Sequence, residues 1–296
     1  MHKLNTLLQE GKPILLDGAM GTMLMEAGLE SGDSMEEWNV IHSGKVRSIH
    51  RGYIQAGSQI ILTNSFGGSS IRLGTQGLKD RVVELNRAAA ENARAEAGAT
   101  DQIVLVAGSM GPSGQLLKPL GTMTKEEAEK SFTDQAKGLA EGGVDLFWIE
   151  TMSDLAEVKA AVAGIRMVSD LPIAATMSFD THGRTMMGVT PEQAVNELQT
   201  LDIQLLGANC GTGSDELIKA IQAMQSVDPK LPLIAKANAG IPEMVGTEVV
   251  YNGSPEIMAT YAVEAWKAGA RLIGGCCGNT PDHIQAMASA LSTLAS

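Results

Sequence analysis

The chain has 296 residues, of which 44% are hydrophobic and 19% are charged, an ordinary composition for a folded protein with a large core. Its formal net charge of −12 opposes binding to phosphate backbones and to anionic lipid headgroups, and no cluster of lysine and arginine interrupts this acidic balance. The sequence therefore argues against nucleic acid as a partner.

The N-terminal residues 1–13 carry charges every few positions and lack the apolar run of a secretory signal. No segment approaches the roughly 18 continuous apolar residues of a membrane span. We therefore expect a cytoplasmic protein that does not bind a membrane. In that reducing compartment the three cysteines are expected to be free thiols and not a disulfide framework.

Short apolar runs bounded by glycine, proline, asparagine or aspartate recur along the chain, and a longer segment with helical periodicity follows each one. The runs predict eight strands at Pro13–Leu16, Gln59–Thr63, Ile103–Ala107, Leu146–Ile149, Ile173–Met177, Leu205–Ala208, Leu233–Ala237 and Leu272–Gly275. The longer segments predict helices at Lys45–Ala56, Arg81–Ala97, Lys125–Glu141, Leu155–Val168, Pro191–Thr200, Asp215–Ser226, Pro255–Ala268 and Pro281–Leu294. Three of these helices have a capping hydroxyl before a proline, at Thr190, Ser254 and Thr280.

Strands that alternate with helices pair in parallel through right-handed crossovers, and eight such units are the number that closes a barrel. The alternative is an open doubly wound sheet. It is disfavoured because the first strand–helix turn, Asp17–Thr22, has two glycines at a spacing unlike the dinucleotide-binding fingerprint. We predict an α/β fold, a single (β/α)8 TIM barrel, with residues 1–296 as one domain.

All three cysteines fall at the predicted C-terminal ends of strands, where the active sites of such barrels lie. Cys210 follows strand six, and Cys276 and Cys277 follow strand eight, two places further round a closed barrel. Three converging thiolates suit Zn²⁺, which binds sulfur tetrahedrally at about 2.3 Å and in catalytic sites leaves a fourth position for substrate. Inert burial would explain any one of these cysteines alone, but it explains the set of three less well.

A substrate thiol in the fourth zinc position indicates what such a site does. An alkyl thiol has a pKa of roughly 8.5 and is mostly protonated at neutral pH, whereas zinc coordination removes its proton. Three cysteinate ligands keep that sulfur electron-rich, which favours thiol alkylation over hydrolysis. The flanking Gly274, Gly275 and Gly278 are expected to let the backbone bend around the ion.

Two carboxylates are placed to bind a substrate ammonium: Asp17 after strand one and Glu150 after strand four. Glu150 follows the apolar run LFWI, where a carboxylate needs a partner, while Asp17 could equally stabilise a turn. The backbone amides of Gly18 and Ala19 are candidates for holding a substrate carboxylate. An amino acid bearing a thiol would thus have each of its groups bound. The ends of strands two and five add two further candidates for substrate binding, Asn64 and Ser178.

Seven blocks of sequence run through nearly the whole chain: LLDGAMGTML, YIQAGSQIILTNSFG, GSMGPSG, WIETMSD, GANCGTG, AKANAGIP and GGCCGNTPDHI. In this order they resemble the homocysteine S-methyltransferase family, which includes betaine–homocysteine methyltransferases and the homocysteine module of cobalamin-dependent methionine synthases. The resemblance implies that Cys210, Cys276 and Cys277 bind zinc and that Asp17 and Glu150 bind the homocysteine ammonium. It also implies that Asn238 is a provisional fourth zinc ligand before homocysteine arrives.

The resemblance favours betaine or a related small onium compound as the methyl donor, with methionine as the product. Such a donor would lie against aromatic faces. Trp38, Phe66 and Phe179 fall in or next to predicted strand-end loops, although they could equally be packing residues. One alternative is a thiol methyltransferase component of a corrinoid system, which takes methyl from a separate methyl-cobalamin protein. An alternative of another class is a zinc-binding barrel without catalysis.

Overall fold

The eight predicted strands form one parallel sheet that curves into a barrel. The computed structural model describes residues 3–245 and 248–294. The barrel strands are β1 (Ile14–Leu15), β2 (Ile60–Leu62), β3 (Leu105–Met110), β4 (Leu146–Met152), β5 (Ile173–Met177), β6 (Leu205–Asn209), β7 (Leu233–Ala237) and β10 (Ala270–Gly275). Between β7 and β10, β8 (Pro242–Val245) and β9 (Glu248–Tyr251) form a separate antiparallel hairpin. The barrel order is β1-β10-β7-β6-β5-β4-β3-β2, and a parallel bridge between Leu16 and Ile60 joins its two end strands. The predicted (β/α)8 TIM barrel is confirmed.

Helices alternate with the barrel strands as predicted. They are α1 (Lys3–Gln9), α2 (Met20–Glu26), α3 (Trp38–Ile41), α4 (Ser43–Gln55), α5 (Ser70–Gly74), α6 (Val82–Ala97), α7 (Lys125–Glu141), α8 (Leu155–Arg166), α9 (Pro191–Leu198), α10 (Ser214–Val227), α11 (Pro255–Lys267) and α12 (Pro281–Ser292). The predicted caps are present at Thr190 and Ser254, whose hydroxyls accept backbone hydrogen bonds from the first turns of α9 and α11. Within residues 3–245 and 248–294, no helix has both the length and the apolar character that a bilayer crossing requires.

The buried apolar side chains form two layers, because successive side chains of a strand point to opposite faces. Trp148 of β4 belongs to the layer that fills the barrel, whereas the preceding Phe147 packs outward against the helices. Leu4 and Leu7 of α1 also belong to the inner layer, and Arg271 at the start of β10 donates to the Leu7 carbonyl. Helix α1 therefore covers the N-terminal end of the barrel, and the C-terminal end holds the site described below.

Several elements were missed by the sequence interpretation. Helices α1, α2, α3 and α5 contain 7, 7, 4 and 5 residues, too few for a helical repeat to be visible in the sequence. Strand β3 extends to Met110 and β4 to Met152, beyond the predicted ends at Ala107 and Ile149. These strands continue because polar side chains such as Glu150 are accommodated where the barrel opens at its C-terminal end.

His50 of α4 is fully buried, and neither of its ring nitrogens has a hydrogen-bond partner in the described part of the chain. Burial lowers the pKa of His50 from 6.5 to about 4, against the opposing charge of Glu96. The folded protein therefore keeps this ring neutral, while the unfolded chain takes up a proton below about pH 6.5. The contribution of this pKa difference to the free energy of unfolding is fully present above pH 6.5. As the pH falls towards 4 this contribution is lost, and the free energy of unfolding decreases by up to about 3 kcal/mol.

We expect His50→Leu to remove this part of the pH dependence. The free energy of unfolding, measured with urea, should fall between pH 7.5 and pH 4 by about 3 kcal/mol more in the unaltered protein than in the variant. Replacing the exposed His42 in the same way is the matched control. An identical pH dependence with and without His50 would contradict the argument.

Candidate functional site

The three cysteines meet at the C-terminal end of the barrel. Cys210 follows β6, while Cys276 and Cys277 follow β10, and the three Sγ atoms lie within 4.8 Å of one another. The Sγ atoms of Cys210 and Cys276 are 2.7 Å apart, and all three residues are free thiols. The convergence expected from the strand order is present in the structure.

This cluster has the dimensions and chemistry of a zinc site. A tetrahedral ion about 2.3 Å from each sulfur requires sulfur–sulfur separations of about 3.8 Å. The observed span includes that distance, and the shortest pair would have to open by about 1 Å. Hydrogen bonds from Cys210 and Cys276 lower the pKa of Cys277, whereas hydrogen bonding with Cys276 and Cys277 raises the pKa of Cys210, so one of the three sulfurs favours the thiolate. The residues present therefore fit the ion.

Asn209 holds two strained residues beside the sulfur atoms. Thr151 and Cys210 have φ values of 60° and 57°, which are uncommon outside glycine and unfavourable for a β-branched residue. The Oδ1 of Asn209 accepts from the Thr151 amide at 2.9 Å, and its Nδ2 donates to the Thr151 hydroxyl at 2.7 Å. The same Nδ2 lies 3.7 Å from the Cys210 sulfur and 3.8 Å from that of Cys276. Asn209 thus joins β4 to the cysteine cluster, a role that the sequence interpretation missed.

Asn238 lies next to the cluster with its carboxamide already engaged. Its Oδ1 accepts from the Cys277 amide at 3.2 Å, and its Nδ2 donates to the Gly211 carbonyl at 3.0 Å. A bond from Oδ1 to a metal would have to share or replace the first of these contacts. Provisional ligation by Asn238 stays a prediction.

The glycines near the cysteines matter mainly for close packing. A Cβ on Gly274 would lie 2.6 Å from the Cβ of Leu16, and one on Gly275 would lie 2.3 Å from that of Asn279. Of the three glycines named from the sequence, Gly278 alone has a positive φ, at 78°. The expectation that all three permit bending is therefore wrong for Gly274 and Gly275, which make room for neighbouring chain segments.

Two buried carboxylates and one buried ammonium lie beside the cysteines. Asp17 accepts from Lys236 Nζ at 2.9 Å through Oδ1 and from the Leu62 amide at 2.6 Å through Oδ2. Glu150 accepts a short hydrogen bond from the Ser109 hydroxyl through Oε1. Burial raises the pKa of both carboxyl groups, and the positive charge of Lys236 opposes this rise.

Lys236 is a second residue that the sequence interpretation missed. It lies in the run LIAKA of β7, two positions after Ile234, whose side chain belongs to the inner layer of the barrel. Because side-chain direction in a strand has a period of two, this parity alone indicates an inward lysine. The signal was present but was masked by the apolar composition of the run.

The Gly18–Ala19 turn is only partly available to a substrate carboxylate. The Ala19 amide donates to the Asn279 carbonyl at 2.9 Å, so the Gly18 amide is the better placed of the two. Gly18 is needed there, because a Cβ at this position would lie 2.4 Å from the same carbonyl oxygen. Carboxylate binding at this turn stays a prediction, now centred on Gly18.

The two remaining candidates for substrate binding lie near the same end of the barrel. Asn64 follows β2, and its Nδ2 donates to the Met35 carbonyl at 2.6 Å, so it connects the barrel to the segment before α3. Ser178 is buried directly after β5, and its amide donates to the Met152 carbonyl at 3.0 Å. A role for Asn64 and Ser178 in substrate binding stays a prediction.

The three aromatic candidates are in different surroundings. Trp38 is buried, with Lys45 Nζ 4.7 Å from its ring centroid and His42 packed edge-on at 4.5 Å. It lines a cavity of about 230 Å³ that neither Phe66 nor Phe179 lines. Because Lys45 already occupies one face of Trp38, an onium donor would have to use the other face.

The hairpin brings a further residue to the cysteines. Tyr251 of β9 is half-buried, and burial together with the neighbouring Cys277 raises the pKa of its phenol. Tyr251 also packs against Gly278. A Cβ on Gly278 would lie 2.5 Å from the Cβ of Tyr251. The β-branched and aromatic run 249–251 before Asn252-Gly253 was the available sequence signal for this strand.

Comparison with known proteins agrees with this geometry. The homocysteine S-methyltransferase family model matches residues 14–291. The methionine synthases of Mycobacterium tuberculosis and Mycobacterium leprae are 33% and 32% identical over 94% and 93% of this chain, which spans about a quarter (24%) of their length. Among solved structures, the metallated homocysteine methyltransferase MmuM from Escherichia coli has a TM-score of 0.82 and 25% identity, covering 97% of this chain and 99% of that one.

The matched region runs from the start of β1 into α12, so it contains every strand of the barrel, the three cysteines and both buried carboxylates. This extent confirms the resemblance first seen in the seven sequence blocks. The chain belongs to the homocysteine S-methyltransferase family.

Proposed function

We propose that this protein is a zinc-dependent homocysteine S-methyltransferase that forms methionine, with betaine or a related small onium compound as the methyl donor. One observation carries the proposal: three thiols within 4.8 Å of one another lie beside two buried carboxylates at the same end of the barrel. Homocysteine offers a thiol to the first group and an ammonium to the second. The free thiols suit a reducing compartment, and we place the protein in the cytoplasm.

Each part of the site has a distinct task in this reaction. Cys210, Cys276 and Cys277 would hold the zinc ion. When bound, zinc would supply the acidity that keeps the substrate sulfur deprotonated at neutral pH. The negative charge of the two buried carboxylates would attract the substrate ammonium, and its binding would orient the sulfur towards the donor. In the transfer the sulfur–methyl bond forms, the bond from methyl to the onium atom breaks, and its electron pair stays on that atom.

The names and lengths of the relatives support a second candidate for the methyl donor, a methylated corrinoid protein. Two methionine synthases match the chain over about a quarter (24%) of their length, so the same barrel occurs within larger proteins. A methylated corrinoid protein, separate from the barrel, would then present its methyl group at the C-terminal end of the barrel, where the cysteines lie. Retention of all three cysteines argues against the third interpretation, a zinc-binding barrel without catalysis.

The test is methionine formation from homocysteine by the zinc-loaded protein, with betaine, S-methylmethionine, dimethylsulfoniopropionate and free methylcobalamin supplied separately. We expect turnover with one of the small onium compounds. Turnover with methylcobalamin alone would replace the onium donor by a corrinoid. If none of the donors yields methionine and calorimetry detects no homocysteine binding, the proposed function is wrong.

A further inference from the structure

A lysine side chain is buried inside the barrel next to the cysteine cluster. Lys236 is 2% exposed and is the one lysine or arginine of residues 3–245 and 248–294 in the buried class. Removing an ammonium from water costs several kcal/mol unless a counter-charge is close. Lys236 must therefore be paired strongly in the folded protein.

The partner of Lys236 is Asp17. Their charged atoms are 2.9 Å apart, and each side chain is 3% exposed. The aromatic ring of Trp148 lies below the ammonium, with its centroid 5.9 Å away. The second oxygen of Asp17 accepts from the Leu62 amide at 2.6 Å. Both oxygens of Asp17 are thus held by the protein itself.

Glu150 is differently placed. Its Oε1 accepts from Ser109, and in the described part of the chain its Oε2 has no hydrogen-bond partner. Glu150 is 8% exposed, against 2% for Asp17, so it lies nearer the open end of the barrel. The charge of Lys236 also acts on Glu150, although the nearest pairing is with Asp17. One ammonium between two carboxylates leaves a single negative charge, which one substrate ammonium would balance.

We propose that Asp17 and Lys236 act as a pair of positioning residues, and that Glu150 alone contacts the substrate ammonium. Asp17 holds Lys236 away from Glu150 and so keeps Glu150 free for the substrate. The inference rests on the proposed function and divides the work between two carboxylates that the family resemblance treats alike. It predicts which single residue discriminates between thiols with and without an amino group.

The decisive experiment compares Asp17→Asn with the double variant Asp17→Asn/Lys236→Met. The measured quantity is the preference for homocysteine over 4-mercaptobutanoate, which has the same thiol and carboxylate but no amine. It is obtained as the ratio of kcat/KM values and, independently of turnover, as the ratio of dissociation constants from calorimetry. In Asp17→Asn the freed Lys236 ammonium should pair with Glu150, and the preference should fall at least about tenfold.

Adding Lys236→Met should restore the preference to within about threefold of the unaltered protein, because Glu150 is then free again. If Asp17 itself contacts the ammonium, the double variant will stay as low as the single one, and the inference is overturned. The inference would also be overturned if kcat/KM fell by the same factor for homocysteine and 4-mercaptobutanoate and the double variant did not restore it. That result would assign the pair a purely structural role. The double variant removes both buried charges together, so it should fold even if a single variant does not.

Removal of the exposed ion pair between Lys159 and Glu197, by Lys159→Met/Glu197→Gln, is the matched control and should leave the preference unchanged. The two proposals fail in different ways. An unaltered protein that neither binds homocysteine nor forms methionine contradicts the proposed function. A protein that prefers homocysteine, but whose double variant shows no rescue, contradicts the pairing of Asp17 with Lys236 alone.

Discussion

Replacing Cys276 by alanine is expected to abolish zinc binding and methyl transfer together while the barrel stays folded. The Cys276 sulfur lies 2.7 Å from that of Cys210, so its removal leaves two sulfurs where a catalytic zinc needs three protein ligands. The residue is half-buried at the open end of the barrel, and losing one atom there should cost only about 1 kcal/mol of stability. The bound metal should fall from about one equivalent per chain to a tenth or less.

Elemental analysis of the purified variant, methionine formation and the thermal unfolding midpoint measure these three properties separately. Ser131→Ala is the matched control, because it removes a single buried heteroatom from α7, away from the cysteines. That variant should retain both the metal and the activity. If metal-free Cys276→Ala protein retained full methyl-transfer activity, that result would contradict the zinc mechanism.

The cysteine centre could be predicted because it follows from topology. Once eight strands are placed in a parallel barrel, every residue after a strand lies at the same end, and Cys210, Cys276 and Cys277 must share it. Glu150 was found in the same way, as a carboxylate following an apolar run. These inferences need the order of the elements and no knowledge of side-chain contacts.

The rest of the site depends on contacts between distant parts of the chain, which a single sequence does not reveal. Asp17 and Lys236 are separated by 219 positions, and Thr151 and Asn209 by 58. The close packing of Gly274 against Leu16 depends on the neighbouring strand β1 in the same way. Each local sequence is compatible with an ordinary strand or turn, so the partner has to be seen before the role can be assigned.

The second large effect is expected from Glu150→Gln. This change keeps the size of the side chain and its contact with Ser109, but it removes the charge that would pair with the substrate ammonium. Losing one partner of a buried charge pair costs about 3 to 4 kcal/mol, so kcat/KM for homocysteine should fall by roughly 10² to 10³. Methyl transfer to 4-mercaptobutanoate, which has no amine, should change by less than about threefold, because that thiol never uses the missing charge.

Glu157→Gln provides a close control for this variant. Glu157 is also buried, also accepts a hydrogen bond from a serine hydroxyl, that of Ser113, and lies at the start of α8. It should leave the preference between the two thiols unchanged, whatever it does to stability. If Glu150→Gln instead lowers kcat/KM for both thiols by the same factor, the charge of Glu150 supports the fold and does not recognise the amine. The selectivity for an amino acid would then have to come from Asp17, and the division of roles between the two carboxylates would be reversed.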